Sequence, residues 1–353
     1  MSRTLTILIS IAAILISLAV NAGESITRSF TGIQNIKLDT SSGDGIISRS
    51  DSDQVTVTLR STYDEDIFKP IIEQQGSTLR IREKFTSHSH RRGHATWYLA
   101  VPDDLDLKFS TGSGDLNIDA VKINLKSSTG SGDVTLKQVT GTVRTSGGSG
   151  DVDLEGVKGD VDISGGSGRV VLRNVIGGVS IDEGSGAIKI DKLKGNLDAD
   201  TGSGRMEVTN STGDMRLDSG SGRISLNAVA GALRVNTGSG DIRARALTIT
   251  GSSDFDTGSG DAAVEINSVL NHDINIDTGS GNATLDFNGN PVAGRIEMRA
   301  NERHGKISAP IAFDEEFTEN RGYDAIMVKQ ASIGDKDIQI TISTGSGTAK
   351  LKQ

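Results

Sequence analysis

Residues 130–147 read GSGDVTLKQVTGTVRTSG and residues 148–165 read GSGDVDLEGVKGDVDISG, so one eighteen-residue pattern occurs twice in succession. Each copy starts with Gly-Ser-Gly, and this tripeptide recurs at intervals of eighteen residues. Its first glycines are Gly112, Gly130, Gly148, Gly166, Gly184, Gly202, Gly220 and Gly238, and looser repeats start at Gly258, Gly279 and Gly345. A short fixed period indicates one structural unit copied along an axis, which predicts a solenoid.

Within each repeat, counted from the first glycine of Gly-Ser-Gly, apolar residues fall at positions 5, 7, 10, 14 and usually 16. In the second copy they are Val152, Leu154, Val157, Val161 and Ile163. The alternation at positions 5 and 7, and again at 14 and 16, is typical of strands with one buried face. Position 12 is glycine in six successive repeats: Gly141, Gly159, Gly177, Gly195, Gly213 and Gly231. Glycine allows turns between strands and a close approach of stacked backbones.

These features predict an all-β fold, a single-stranded parallel β-solenoid (β-helix) with about 18 residues per coil. Equivalent residues of successive coils would lie about 4.8 Å apart in parallel ladders. A single coil cannot fold alone, because its five aliphatic side chains contribute about 10 kcal/mol and ordering its backbone costs more. Val134, Val152 and Val170 are therefore expected to form one buried file.

Polar residues also recur at fixed places. The residue two positions before each Gly-Ser-Gly is always Ser, Asp or Asn, which we interpret as a turn opener bonded to nearby backbone amides. Where this residue is Asp, position 4 tends to be Arg, as in Asp200 with Arg205 and Asp218 with Arg223. We expect these charges to flank the same bend.

The chain divides by pattern. Residues 1–22 combine Arg3 with an apolar run and small residues at the cleavage position, which predicts a signal peptide; an uncleaved anchor is the alternative. Residues 23–110 are expected to hold the first coil and an antiparallel β cap, with a hairpin at Gly76-Ser77. Residues 111–289 form the regular coils, and residues 290–353 the terminal coils with an inserted loop at 313–336. Lys350 and Lys352 would protect the last strand from edge pairing.

Composition limits the function classes. The chain has no cysteine, so no disulfide stabilises an exported form. Without Arg3, 36 basic residues stand against 46 acidic ones, a net charge of −10. This charge disfavours nucleic acid and anionic membrane surfaces as partners. Aromatic residues make up 3%, which argues against platforms that stack sugars.

The leading strands, the Val101-Pro102 strand, the Gly-Ser-Gly-Asp-Val units and the closing Thr-Gly-Ser-Gly strand resemble the bacterial putative-adhesin β-strand-repeat family, an exported domain of unknown function. The resemblance covers residues 36–351 and rests on eleven Gly-Ser-Gly tripeptides in register with aliphatic residues. It implies an exported β-solenoid of the cell envelope. The resemblance carries no catalytic residues over to this chain.

Three residue sets invite a chemical interpretation. His88, His90 and His94 lie within seven residues, which makes them a candidate transition-metal site against the simpler reading of a solvated loop. Asp recurs at position 4, but the second carboxylate that a Gly-rich calcium repeat needs is replaced by Val152. A Thr file before Gly-Ser-Gly suggests an ice-binding face, but Gly147, Gly165 and Glu183 interrupt it.

We therefore expect a non-enzymatic exported β-solenoid, periplasmic or on the cell surface, that acts as a scaffold, adhesin-like or interaction module of the bacterial envelope. Its partner would be an envelope protein or glycan, with no cofactor, no nucleic acid and no membrane span after signal cleavage. The alternative is a carbohydrate-active β-helix enzyme, a lyase or hydrolase. A carboxylate pair facing a groove near residues 313–336 would favour that alternative.

Overall fold

The computed structural model describes residues 24–87, 92–321 and 324–353, and every regular element in these ranges is a strand. The strands in chain order are β1 (Glu24–Phe30), β2 (Asn35–Asp39), β3 (Asp44–Arg49), β4 (Val55–Ser61), β5 (Ile71–Gln75), β6 (Thr78–Arg82), β7 (Ala95–Val101), β8 (Leu105–Thr111), β9 (Leu116–Asp119), β10 (Ile123–Thr129), β11 (Val134–Lys137), β12 (Val143–Gly147), β13 (Val152–Glu155), β14 (Val161–Gly165), β15 (Val170–Ile176), β16 (Val179–Glu183) and β17 (Ile188–Lys194). They continue with β18 (Leu197–Thr201), β19 (Met206–Thr209), β20 (Met215–Ser219), β21 (Ile224–Asn227), β22 (Ala230–Gly231), β23 (Leu233–Thr237), β24 (Ile242–Ile249), β25 (Ser253–Thr257), β26 (Ala262–Ile266), β27 (Ile274–Thr278), β28 (Ala283–Asp286), β29 (Gly294–Asn301), β30 (Lys306–Ser308), β31 (Glu315–Arg321), β32 (Asp324–Ile333), β33 (Gln339–Thr344) and β34 (Thr348–Lys352).

Each regular coil gives one strand to each of two sheets. Sheet 1 has the order β1-β4-β7-β3-β9-β11-β13-β15-β17-β19-β21-β24-β26-β28-β34-β30, with the short β22 also paired to β24. Sheet 2 has the order β5-β6-β2-β8-β10-β12-β14-β16-β18-β20-β23-β25-β27-β33-β29-β32-β31. Pairing is parallel throughout the regular coils, which confirms the predicted parallel β-solenoid.

The core is a set of aliphatic files between the two sheets. Val134 pairs in register with Val152, which pairs with Val170, and all three are at most 7% exposed. The predicted buried file is therefore confirmed. Position 10 residues such as Val157, which is fully buried, fill the corner between the sheets. Each apolar side chain packs against its equivalents one coil away, so burial is shared between coils rather than completed within one.

Stacked glycines fix the distance between coils. A Cβ added to Gly168 would lie 1.9 Å from the carbonyl oxygen of Gly150, and one added to Gly159 would lie 2.2 Å from that of Gly141. The same close approach recurs along positions 1, 3 and 12. In five of its six glycines, position 12 also has left-handed backbone, for example a φ of 142° at Gly159. Only glycine meets both demands, as the sequence predicted.

The turn after sheet 2 is closed by a different residue from the one we expected. The hydroxyl of Thr201 accepts a hydrogen bond from the Gly204 amide at 3.1 Å, and Ser219 and Thr257 cap their turns in the same way. The preceding Ser, Asp or Asn residues instead lie on sheet-2 strands and point outward. Our interpretation of them as turn openers was wrong, because the hydroxyl one residue later faces the turn interior.

The two ends of the solenoid are threaded out of chain order. The coil formed by β2 and β3 lies between β6/β7 and β8/β9, and the coil formed by β33 and β34 lies between β27/β28 and β29/β30. The hairpin predicted at Gly76-Ser77 is confirmed by the antiparallel pairing of β5 with β6. Most of residues 313–336 form β31 and β32 rather than a loop. Lys350 lies on β34 between β28 and β30, so its predicted role at an edge was wrong; the pairing with β30 ends before Lys352.

Replacing Gly195 by Ala should destabilise the solenoid strongly. Its Cβ would lie 2.0 Å from the Gly177 carbonyl oxygen, and its φ is 153°. We expect a loss of roughly 2–4 kcal/mol in the free energy of unfolding, measured by urea denaturation. Gly289→Ala is the matched control, because its φ is 78° and no atom lies within 4 Å of the added Cβ. It should cost only about 1 kcal/mol. Equal losses would show that the close approach is not the limiting constraint.

A candidate ligand-binding face on sheet 2

Register pairing arranges the outward side chains of sheet 2 into columns that run along the solenoid axis. The charged column contains, in spatial order, Arg80, Lys37, Lys108, Lys126, Arg144, Asp162, Ser180, Asp198, Arg216, Arg234, Asp254, Asn275, Thr341 and Glu297. The hydroxyl–carboxylate column beside it contains, over the same strands, Arg82, Asp39, Ser110, Ser128, Ser146, Ser164, Asp182, Asp200, Asp218, Asn236, Asp256, Asp277, Ser343 and Arg299. The turn-side column on the other flank includes Asp106, Asn124, Thr142, Asp160, Gly178, Asn196, Asp214 and Ala232.

A long groove follows the turn-side and charged columns. Its larger part, about 760 Å³, runs from Thr142 and Arg144 to Asp254. A second part of about 360 Å³ extends from the same Thr142 and Arg144 to Asn35 and Lys37. The two parts adjoin at these shared residues and follow one another along the face.

The groove exists because turn-side side chains bond along the axis instead of projecting outward. Asn124 Oδ1 accepts the Thr142 amide at 3.1 Å, and Asp214 Oδ1 accepts the Ala232 amide at 3.1 Å. Asn124 also donates to Asp106 Oδ1 at 3.0 Å. These bonds hold the polar groups close to the backbone. The longer side chains of the charged column project outward beside them and form one wall of the groove.

Five successive members of the charged column, following Glu73 on β5, are all basic: Arg80, Lys37, Lys108, Lys126 and Arg144. We call this set the basic ladder. All five are exposed, and they occupy five successive strands, about 19 Å from first to last. Among the described residues, no carboxylate forms an ion pair with the first four; Glu73 is the register partner of Arg80 but does not reach it.

The other half of the charged column follows a different pattern, because its bases stand beside acids. Arg144 lies 3.9 Å from Asp162, and Arg216 lies 3.8 Å from Asp198. Arg234 likewise lies 3.7 Å from its neighbour on the next strand, Asp254. Such exposed pairs contribute roughly 0–1 kcal/mol each, so they remove repulsion more than they add stability.

The hydroxyl–carboxylate column changes character at the same region of the face. It is serine beside Lys108, Lys126 and Arg144, Arg82 and Asp39 beside Arg80 and Lys37, and mostly aspartate from Asp182 onward. Partial burial, with the charges of Asp218 and Asp198, raises the pKa of Asp200. Partial burial, with Asp277 and Asp254, also raises the pKa of Asp256. Sheet 2 thus presents a basic end and an acidic end on one face.

One carboxyl group is buried inside the turn beside this face. Glu183 is 3% exposed, and its Oε2 has no hydrogen-bond partner among the described residues. It occupies the file where other coils have a capping Thr or Ser, and its Oε1 lies where a Cβ on Gly165 would be. The side chain therefore fills space left by the missing side chain of Gly165. Burial, with the nearby Asp182 charge, raises the pKa of Glu183 from 4.5 to about 7.

Glu183 should make the stability of the protein depend on pH. Its folded-state pKa exceeds the unfolded value, so its favourable contribution is complete below about pH 4.5 and is lost as pH rises to about 7. Between pH 5 and pH 8 the wild type should lose about 2–3 kcal/mol more than Glu183→Gln, measured by urea denaturation at both pH values. Parallel pH profiles for the two proteins would mean that this carboxyl group is not desolvated.

Gly165 and Glu183 should also be coupled. Gly165→Thr alone places its Cβ 2.1 Å from Glu183 Oε1, and Glu183→Thr alone leaves a void. The double variant restores the Thr file of the neighbouring coils. In a double-mutant cycle we expect a favourable coupling of about 1–3 kcal/mol in unfolding free energy. Additive losses would show that Glu183 does not fill the space beside Gly165.

The predicted metal site is only partly within the described residues. His88 and His90 lie outside them, and His94 Nε2 lies 2.9 Å from Asp44 Oδ2. In the described ranges, no group of three or more His, Asp or Glu residues is arranged to hold a metal ion. A metal at His88, His90 and His94 stays a prediction. It would compete with Asp44 for His94.

Position 4 carboxylates bond to the backbone of the next coil. Asp115 Oδ1 accepts the Asp133 amide at 2.9 Å, and Asp133 Oδ1 accepts the Asp151 amide at 2.7 Å. Charges at this position also pair between coils, as Arg223 does with Asp241 at 3.2 Å. The expected pairing across one bend was therefore wrong. Partners lie one coil away because strand spacing is shorter than the width of the turn.

Two other candidate surfaces are structural. Thr237, Thr257 and Thr278 are at most 4% exposed, so the Thr file cannot present an ice-binding face. Near residues 313–336, Arg299 lies 2.9 Å from Glu297 and 2.6 Å from Glu319, which places these two carboxylates in ion pairs.

The fold and the face define a class: a two-sheet parallel β-solenoid with antiparallel caps and a grooved, charge-segregated outer face. The chain belongs to the Toastrack DUF4097 family, whose model matches residues 33–211 and 159–290. None of the curated proteins matches the chain. In the described part of the chain, no helix has the length and apolarity needed to cross a bilayer.

Several solved bacterial structures align with most of the chain at low identity. A putative cell adhesion protein from Clostridium sporogenes is 14% identical over 94% of this chain and 100% of its own, with a TM-score of 0.24. A putative lipid binding protein from Parabacteroides distasonis is 17% identical over 94% and 98%, with a TM-score of 0.28. A putative adhesin from Parabacteroides merdae is 13% identical over 72% and 96%, with a TM-score of 0.22.

Proposed function

We propose that this protein is a non-enzymatic, exported scaffold or adhesin-like module of the bacterial envelope that binds an extended macromolecule along sheet 2. The observation that carries the proposal is the groove, in two adjoining parts from Asn35 to Asp254, lined by columns in register. Such a groove suits a long repetitive partner better than a compact one, because equivalent contacts recur at every coil.

The polar groups of the face support binding over catalysis. Turn-side carboxylates such as Asp160 and Asp214 accept backbone amides at 2.9 and 3.1 Å, which holds them as structural acceptors. Hydrolysis or elimination on a sugar would need a positioned acid and base converging on one bond. The carboxylates of this face are instead distributed along the axis, with none to two per coil.

The envelope location follows from the apolar N-terminal segment, which we interpret as a signal peptide. Export should place the mature solenoid where it meets surface glycans and proteins. The absence of cysteine suits a fold that is stabilised by stacking alone, and so independent of the redox state of its compartment.

This function can be tested with the full chain carrying a C-terminal tag in a bacterial host. We expect the tagged protein in the envelope or extracellular fraction, with a mature N-terminus at Gly23 or a retained anchor. Purified mature protein should sediment with isolated envelopes and release no new reducing ends or unsaturated sugars from them.

A cytoplasmic location would contradict the export component. Release of sugar fragments would support the alternative, a carbohydrate-active enzyme. Gly195→Ala serves as a control for folding, because it changes no side chain of the face but disrupts the coil stacking that keeps the columns in register. Loss of sedimentation in that variant shows that binding requires the intact stack.

A further inference from the structure

We propose that the basic ladder binds a linear acidic polysaccharide, which lies along the solenoid axis and presents an anionic group to successive coils. This inference rests on the proposed binding function, because it names the ligand class of the same face. The anionic groups would be carboxylates, sulfates or phosphates. The source is a glycan polymer rather than a lipid surface.

Stability does not account for the ladder. Like charges directly opposite one another in a sheet are destabilising, yet Lys37, Lys108, Lys126 and Arg144 occupy adjacent strands. In the other half of the same column, acids and bases are mixed, and Arg216 and Arg234 each lie within 4 Å of an aspartate on a neighbouring strand. The chain as a whole carries 46 acidic residues against 37 basic ones, so an uninterrupted basic file is unexpected. An anionic ligand would remove the repulsion.

The neighbouring column supplies matching hydroxyl groups. Ser110, Ser128 and Ser146 lie on the same strands as Lys108, Lys126 and Arg144, two residues further along. Ser128 and Ser146 are exposed and can donate hydrogen bonds to anionic or hydroxyl oxygens of a sugar. Farther along the axis this column becomes aspartate, which would repel the same ligand. Cations and hydroxyl donors thus coincide on the coils of Lys108, Lys126 and Arg144, whereas Lys37 has Asp39 in the neighbouring column.

The shape favours a polymer strand over a membrane. The ladder is one residue wide, about 19 Å long, and borders the groove part of about 360 Å³. A bilayer would need a broad basic plane, whereas this face becomes acidic farther along its length. The 19 Å span exceeds the Debye length of about 8 Å at physiological salt, so a charge at one end of the ladder attracts an anion at the other end only weakly. The ligand must therefore contact each residue of the ladder.

The same geometry disfavours two other polyanionic partners. A second copy of this chain would present a sheet face, which is too wide to enter the groove. Single-stranded nucleic acid is normally held by aromatic side chains that stack on the bases. The charged and hydroxyl–carboxylate columns contain no aromatic residue along their described length. Recognition by charge and hydroxyl groups suits an acidic sugar chain.

The test uses a double charge reversal, Lys108→Glu with Lys126→Glu, in the otherwise intact protein. The matched control is Lys158→Glu with Lys194→Glu, which makes the same change in net charge at exposed positions outside the groove. Calorimetric titration with size-graded oligogalacturonides provides the probe, and a neutral β-glucan provides the uncharged comparison.

We expect the wild type and the control to bind oligogalacturonides with similar affinity, increasing with chain length until the polymer spans the ladder. The reversed variant should lose at least about tenfold in affinity, because two favourable contacts become repulsive. Salt should weaken binding to the wild type. The neutral glucan should not bind to any of the proteins.

A stability measurement separates a binding role from a structural one. The single variant Lys126→Glu places a carboxylate between the cations of Arg144 and Lys108 in the column. Because attraction then replaces repulsion, this variant should melt at a higher temperature while binding the ligand more weakly. A lower melting temperature would mean that the ladder stabilises the fold, and would overturn the proposal.

Four further outcomes would overturn it. These are unchanged affinity in the reversed variant, equal loss in the control, tighter binding to phosphatidylglycerol vesicles than to the oligosaccharide, and self-association of the wild type that the reversal abolishes. Envelope sedimentation of the reversed variant distinguishes the two proposals. If that variant still sediments with envelopes but the oligosaccharide does not bind to the wild type, the ligand assignment fails and the proposed function stands.

Discussion

The tightest steric constraint in this molecule is the close approach of one coil's backbone to the next at the stacked glycines. A Cβ on Gly222 would lie 1.7 Å from the Gly204 carbonyl oxygen, and equivalent positions in other coils are similarly close. No side chain fits between the stacked glycines, so successive turns lie directly over one another. Since the turns superimpose, the strands between them stay in register. The aliphatic files and the parallel ladders depend on that register.

The register of the strands also arranges the outward side chains in lines along the solenoid axis. Every outward position of the coil becomes a column, in which the equivalent side chains of successive coils lie about 4.8 Å apart. Polar side chains in the columns bond forward to the next coil, as Asp133 does to the Asp151 amide. Charges meet their neighbours along the axis rather than across a bend. The basic ladder and the acidic region beyond it can therefore exist on one face, separated only by distance along the axis.

The sequence was sufficient to predict the coil, its two strands, the stacked glycines and the buried valine file, because each has a fixed eighteen-residue period. It did not predict that the terminal coils are stacked out of chain order. The strand β6 pairs with β2, but the two are separated in the chain by an insertion of irregular length. Position 9 was also missed: Ala120, Gln138 and Lys192 adopt left-handed backbone with φ near 50–60°. None of these residue types signals that conformation. Three of the five residues of the basic ladder, Lys108, Lys126 and Arg144, follow the eighteen-residue period, but Lys37 and Arg80 join them only in three dimensions.

The surface pattern carries information because the fold scarcely depends on it. Each coil buries about five aliphatic side chains, at roughly 2 kcal/mol each, whereas an exposed ion pair contributes about 0–1 kcal/mol. A substitution in an outward column therefore changes stability little. Columns free to vary in this way should show mixed or alternating charge, as the column does beyond Arg144. Five successive cations require another cause, and an anionic partner along the groove supplies one.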